Sequence, residues 1–305
     1  MQQFYEMNKN IEYVVVKIND DVIFNASSQR HLFQSMTNTD TNDIEATVSQ
    51  IIELAASGAG LVRVAVPGLK EAAALHEIRR DLTRNAPTSQ HKNIPLVADV
   101  HFLPEVAEQT AHFVEKIRIN PGNYTDTRAK PLFDICKQNN TIIRVGVNQG
   151  SLCDRIISRY GNTPEALVAS ALEWMNIAEM YDYHSIVFSI KSSHVKTMME
   201  SNLLLYNKMI ERRKVYPFHL GVTEVANEME GRVKSAIGIG ALLLREIGNT
   251  FRVSLTENPV NEITFSKLLV EAVQDIKKNG YDHFSEGVLQ IHYPEKRRFL
   301  CVTIR

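Results

Sequence analysis

Arg63, Arg118, Arg144 and Lys191 lie inside or just past short apolar runs with the length and β-branched content of buried strands. The runs are LVRVAV (61–66), KIRIN (116–120), TIIRVGV (141–147) and SIVFSI (185–190). Taking a charge out of water costs several kcal/mol, so each cation needs a partner. A carboxylate on a neighbouring strand is the ordinary partner, but only Asp99 and Glu224 stand at a comparable level. Three arginines and a lysine against two carboxylates leave positive charge for a doubly or multiply anionic ligand. The guanidinium fork is suited to phosphate.

The period of two along a strand groups further side chains with these cations. Asn120 shares a face with Arg118, Gly146 and Asn148 with Arg144, and Ser189 and Ser193 with Lys191. Arg252, Ser254 and Thr256 form another set. His101 lies one residue past a strand, on the face of Asp99, which favours a ligand-facing role. Glu224 lies just past the seventh run, where it is either an acid/base residue or an ion-pair partner. Lys191 at a strand end could also form a Schiff base. The segment GRVKSAIGIG (231–240) is expected to open a helix, with Ser235 near its N-terminus. Backbone N–H groups there bind phosphate; alternatively Gly238 and Gly240 serve only close packing.

Eight apolar runs recur: 32–36, 61–66, 95–100, 116–120, 141–147, 185–190, 217–222 and 251–255. Segments between them read as helices, at about 43–57, 69–84, from Thr163-Pro164 onward, and from Asn258-Pro259 to about 278. A capping residue followed by proline is a helix-start signal. Eight strand–helix units predict a (β/α)8 TIM barrel, an α/β fold whose chemistry gathers at the C-terminal ends of the strands. An open doubly wound sheet is the alternative, and it lacks a G-x-G-x-x-G turn. YVVVKINDDVIF (13–24) reads as a hairpin plugging the barrel bottom. The expected organisation is therefore an N-terminal hairpin over 1–30, a substrate-binding barrel over 31–278, and a tail or further domain over 279–305.

The chain has 305 residues, and its 34 basic and 35 acidic side chains give a formal net charge of −1. That balance argues against a nucleic-acid binder, whose affinity rests on excess Lys and Arg. No run approaches the length of a membrane span. Cys136, Cys153 and Cys301 are too far apart for a C-x-x-C metal site or a disulfide framework, so no metal site is expected in this chain. Cys136 reads as a small core residue of a helix, and a cytoplasmic location is the default.

Several strings together resemble one family. They are FQSMTNTDTNDIEATVSQI, LVRVAVP, PLVADVHF, KIRINPGN, IIRVGVNQGSL, LGVTE, GRVKSAIGIGALL and IGNTFRVSLTENPVNEI. The family is 4-hydroxy-3-methylbut-2-enyl diphosphate synthase of the non-mevalonate isoprenoid pathway, and IISRYGNTPEALVASALEW looks like its longer form. The resemblance implies a barrel that binds 2-C-methyl-D-erythritol 2,4-cyclodiphosphate. It also implies a separate domain with a [4Fe–4S] cluster on three cysteines and a glutamate. The reaction is a two-electron reductive ring opening and dehydroxylation, with ferredoxin or flavodoxin as donor. By resemblance Arg63, Arg118 and Arg144 hold the diphosphate. His101, Asn120, Asn148, Lys191 and Ser235 complete the pocket, and Glu224 is the acid/base residue. The cluster-binding Cys-Pro-Ser-Cys-like motif does not occur in these 305 residues, and YVVVKINDD replaces the family's early Arg-rich segment. The chain thus reads as the barrel portion of a larger enzyme, inactive alone, with a homodimer as one expected assembly. The competing readings are a phosphate-binding lyase or aldolase using Lys191, a pterin-binding transferase barrel, and a non-catalytic binding module.

Overall fold

The computed structural model describes residues 11–18, 23–25, 27, 30–100, 103–124, 126–223 and 227–280. Three short strands come first: β1 (Glu12–Tyr13), β2 (Val15–Lys17) and β3 (Ile23–Asn25). The next strands are β4 (Leu32–Met36), β5 (Leu61–Ala65), β6 (Leu96–Asp99), β7 (Lys116–Ile119), β8 (Ile142–Asn148) and β9 (Ile186–Lys191). β10 (Lys214–Val215), β11 (His219–Leu220) and β12 (Thr250–Phe251) follow. Eight of them form one parallel sheet in the order β11–β12–β4–β5–β6–β7–β8–β9. A parallel bridge between Phe188 and Phe218 joins β9 to the approach to β11 and completes the circuit. The fold is the expected (β/α)8 barrel.

Helices follow each barrel strand, and their starts obey the sequence signals. The first, α1 (Ile44–Ser57), is capped by Asp43, whose carboxylate accepts from the Ala46 N–H at 3.1 Å. It stops at Gly58, whose φ of 103° is the left-handed conformation that glycine adopts freely. Pro164 and Pro259 sit at the first positions of the helices Pro164–Met180 and Pro259–Asn279, behind the caps Thr163 and Asn258. Leu167, Ala171, Met175 and Ala178 are all buried, so one face of the former helix packs on the barrel. Cys136 is likewise fully buried within the helix Asp126–Asn139.

Three expectations need correction. The seventh and eighth strands are shorter than 217–222 and 251–255, because their ladders hold only two residues each before the chain turns into the site. The helix after β11 starts at Glu228 rather than Gly231, because Asn227 accepts from the Glu230 N–H at 2.9 Å and caps it there. Ser235 is therefore two turns inside this helix, and no N-terminal N–H group lies beside it. Before the barrel, β2 and β3 pair antiparallel. The turn Asn19–Asp21 lies outside the described residues, as do residues 281–305 with Cys301. β1 runs parallel to β10, which precedes the seventh barrel strand, and Val14, Val16 and Ile18 are buried in the core.

The pairing register sets which side chains meet inside the barrel. The Ser35 hydroxyl donates to Pro259 O and to Glu262 of the outer helix, so Gln34 and Met36 face the lumen. Following the pairings once around the barrel gives a stagger of eight residues, the value of this fold. Each lumen layer then takes one residue from every second strand. One layer holds Arg63, Arg118, Ser189 and Arg252. The layer beneath holds Gln34, Val97, Arg144 and His219. The layer above the first holds Met36, Asp99, Gly146 and Gly221, and Asn120 and Lys191 stand higher still. Branched aliphatics usually fill this space; here most positions are polar or charged.

Candidate functional site

The arginines are gathered by strand register rather than by loops. Asp99 pairs in register with Arg118, and Arg118 with Arg144. The Asp99 carboxylate accepts from Arg63 and lies 3.7 Å from Arg118 Nη1. One buried carboxylate thus serves two guanidiniums. Arg118 also donates to Gly146 O at 3.1 Å, and the Asn148 amide oxygen accepts from its Nη2 at 2.9 Å. Arg144 is 2% exposed, and its Nε and Nη1 have no hydrogen-bond partner among the described residues. The Lys191 amine reaches across to Gly221, where a Cβ would lie 2.7 Å away. Gly146 likewise leaves room for Arg118, whose Nε would be 2.6 Å from a Cβ there.

A carboxylate that strand periodicity does not reveal completes the charge balance. Glu262, on the last helix, binds Arg252 through both oxygens at 2.9 and 2.6 Å. Among the described residues Asp99 and Glu262 therefore face Arg63, Arg118, Arg144, Arg252 and Lys191, an excess of positive charge. The electrostatics of the lumen follow. Burial pushes Arg118 down to about 10, with Asp99 opposing and Arg63 reinforcing the shift. Burial, then the neighbouring arginines, pushes Arg144, Lys191 and Lys116 well below their ordinary values. Fully buried His219 is lowered for the same reasons, burial first and then the charges of Arg144 and Lys191. An array of like charges held this close in low dielectric favours a polyanion over water.

Beside the cations a cavity of about 440 Å³ opens at the C-terminal strand ends. Amides, hydroxyls and an imidazole line it, including Asn120, Asn123, Asn148, Ser192, His194 and Thr223. Asn120 is held on both sides: its Oδ1 accepts from the Gly122 N–H at 3.2 Å, and its Nδ2 donates to Ser151 Oγ at 2.9 Å. The turn that carries Gly122 is pressed on the next one, since a Cβ at Gly122 would lie 1.7 Å from Ser151 O. We expect Gly122→Ala to lower stability by about 1–3 kcal/mol through forced overpacking. Ser151→Ala should not relieve it, because the obstacle is a backbone oxygen. Thermal unfolding of the single and double variants checks this, and rescue in the double variant would contradict it.

The structure thus brings Arg63, Arg118, Asn120, Arg144, Asn148 and Lys191 to one end and lumen of the barrel. Ser235 is buried, its hydroxyl without a hydrogen-bond partner among the described residues. It lies one turn before Gly238, which packs against Val195, Met198 and Val222. His101 and Glu224 lie outside the described residues. Sequence reasoning missed Gln34, Lys116 and His219. All three were within the quoted runs, and Lys116 shares a face with Arg118.

Residues 16–267 match the GcpE TIM-barrel domain family. A 4-hydroxy-3-methylbut-2-en-1-yl diphosphate synthase (flavodoxin) of Protochlamydia amoebophila is 42% identical over 288 residues, covering 87% of this chain and 43% of that protein. The protein of the same name from Chlamydia muridarum is 43% identical over 264 residues, with 79% and 43% covered. The chain therefore spans about two fifths of the length of these relatives. Among solved structures, Xanthomonas albilineans dihydropteroate synthase has a TM-score of 0.55 at 15% identity, covering 87% of this chain and 99% of its own. Plasmodium falciparum HPPK-DHPS has a TM-score of 0.59 at 10% identity, covering 90% and 54%. At such identities the likeness concerns the fold alone. The family match, over most of the barrel and every lumen cation named above, shows that the chain belongs to the GcpE TIM-barrel domain family.

Proposed function

We propose that this chain is the substrate-binding barrel of a 4-hydroxy-3-methylbut-2-enyl diphosphate synthase, and that it takes 2-C-methyl-D-erythritol 2,4-cyclodiphosphate at the strand ends. The observation that carries this is the surplus, among the described residues, of buried cations over the carboxylates Asp99 and Glu262 in a family member. Arg63, Arg118, Arg144 and Lys191 would neutralise the diphosphate. Asn120 and Asn148, at the cavity wall, would orient the polyol part. Ser235, His101 and Glu224 keep the roles the resemblance implies, Glu224 as the acid/base residue.

A [4Fe–4S] cluster, reduced by flavodoxin or ferredoxin, supplies the electrons in such an enzyme. The described residues do not fit it as ligands. Cluster ligation requires thiolates, whereas burial pushes the Cys136 thiol up to about 12. Cys153 stands alone at a helix start, and among the described residues no three His, Cys, Asp or Glu side chains group to hold a metal. In this reading the barrel's own work is binding, orientation and the acid/base role of Glu224, the cluster ligands lying outside the described residues. Among those residues no helix is long and apolar enough to cross a membrane. A cytoplasmic enzyme, working as a homodimer, is the setting we propose.

The lowered lysines give a test. In the folded chain Lys116 and Lys191 hold fewer protons than in the unfolded chain. Stability therefore falls as pH drops below the ordinary lysine value of 10.5. A bound diphosphate raises these groups again, so binding takes up protons and tightens as pH falls. Calorimetry of the cyclodiphosphate in two buffers of different ionisation heat measures the uptake. Absence of binding, or net proton release, would end this reading. The lowered Lys191 also suits a Schiff-base lysine, and borohydride trapping of a carbonyl substrate on it would favour a lyase or aldolase instead.

A further inference from the structure

The layer beneath Arg63, Arg118 and Arg252 carries, beside Arg144, polar groups that the diphosphate reading leaves unused. By register Gln34 faces Arg144 across the lumen, with His219 between them on one side and Val97 on the other. Ser189 adjoins His219 from the neighbouring strand. Gln34 and His219 are 0% exposed, Ser189 1% and Arg144 2%. Both ends of the Gln34 amide, Ser189 Oγ, His219 Nε2, and Arg144 Nε and Nη1 have no hydrogen-bond partner among the described residues. Buried polar groups in folded proteins are nearly always satisfied, so so many in one small space point to something that satisfies them together.

We propose that the barrel lumen carries a second anion site beneath the diphosphate cluster, in which one halide-sized anion is held by Arg144, Gln34, Ser189 and His219. The groups are mostly donors, Gln34 Oε1 being the acceptor among them. Arg144 offers the N–H groups of Nε and Nη1, Gln34 an amide NH2 and Ser189 a hydroxyl. The His219 Nδ1 contacts the Thr250 hydroxyl at 2.5 Å. When it accepts there, Nε2 carries the ring proton into the lumen. Water brings as many donors as acceptors and no charge. An anion answers the donors and also the surrounding cations, with Arg63, Arg118 and Arg252 above and Lys116 below. Among the described residues the lumen carboxylates are engaged elsewhere, Asp99 by Arg63 and Arg118, Glu262 by Arg252. Size excludes larger anions, because the interior of an eight-stranded barrel is only just wide enough for side chains. The site stands whether or not the mouth binds the cyclodiphosphate.

The test is a crystal of the full chain soaked in sodium bromide, with and without inorganic pyrophosphate, read by anomalous scattering at the bromine edge. The expected result is a peak in contact with Arg144, Gln34 and His219 that persists with pyrophosphate bound. Lumen density without an anomalous signal, meaning ordered water only, overturns the proposal. So does bromide found only among Arg63, Arg118 and Lys191 and displaced by pyrophosphate. In solution, bromide should raise the unfolding midpoint more than gluconate at equal ionic strength. Gln34→Leu should weaken that bromide dependence about tenfold or more, and an unchanged dependence counts against the site. If that variant does not fold, the crystal of the unaltered chain still decides.

Discussion

Arg118→Ala should bind 2-C-methyl-D-erythritol 2,4-cyclodiphosphate roughly ten- to over a hundredfold more weakly than the unaltered chain. A charge-assisted hydrogen bond contributes about 1.5–3 kcal/mol, and every 1.4 kcal/mol is about tenfold in affinity. Arg118 is tied into the site on several sides: Asp99, Gly146 O and the Asn148 amide all reach it. Its burial holds the guanidinium in one place, so little ordering remains to be done on binding. Arg118→Lys separates charge from shape. It keeps the charge and loses the fork, and its affinity should fall between the other two. Calorimetric titration of the three proteins measures this. Equal affinities across the series would place the ligand away from β7.

Asp99→Asn should be the most damaging single change to the fold of the site. The carboxylate is 5% exposed and lies between Arg63 and Arg118. Removing one partner of a buried ion pair costs about 3–5 kcal/mol, because the other charge remains buried; here two charges are left behind. For a chain of this size the unfolding midpoint should drop on the order of 10 °C. Arg118, already lowered by burial, loses the carboxylate that opposes the shift. Added pyrophosphate should restore part of the loss, since it returns negative charge to the same guanidiniums. An unchanged midpoint, or no recovery with pyrophosphate, would show that Asp99 is not the hub of the cluster.

Much of the barrel was legible because its strands are apolar runs of ordinary length between capped helices. Each cap signal that included a proline, at Thr163-Pro164 and Asn258-Pro259, marks a helix start. The cations were legible for the opposite reason, since an arginine inside such a run is a local contradiction. What the sequence concealed was contact between distant elements. Glu262 reaches Ser35 across 227 residues, and nothing near Arg252 in a strand's period of two reveals its carboxylate. Gln34 and His219 passed unnoticed because a neutral polar residue in a strand looks unremarkable until its layer partners are known. Ser235 was misplaced because the cap at Asn227 lengthens the helix by three residues ahead of Gly231.

The two glycines beside the cations limit how this lumen could be built anew. Arg118 and Lys191 occupy volume that a methyl group at Gly146 or Gly221 would claim. Transplanting Arg63, Arg118, Arg144 and Lys191 onto another eight-stranded barrel would therefore deliver charge without space for it. A designer would have to move six positions as one block, the empty ones together with the filled.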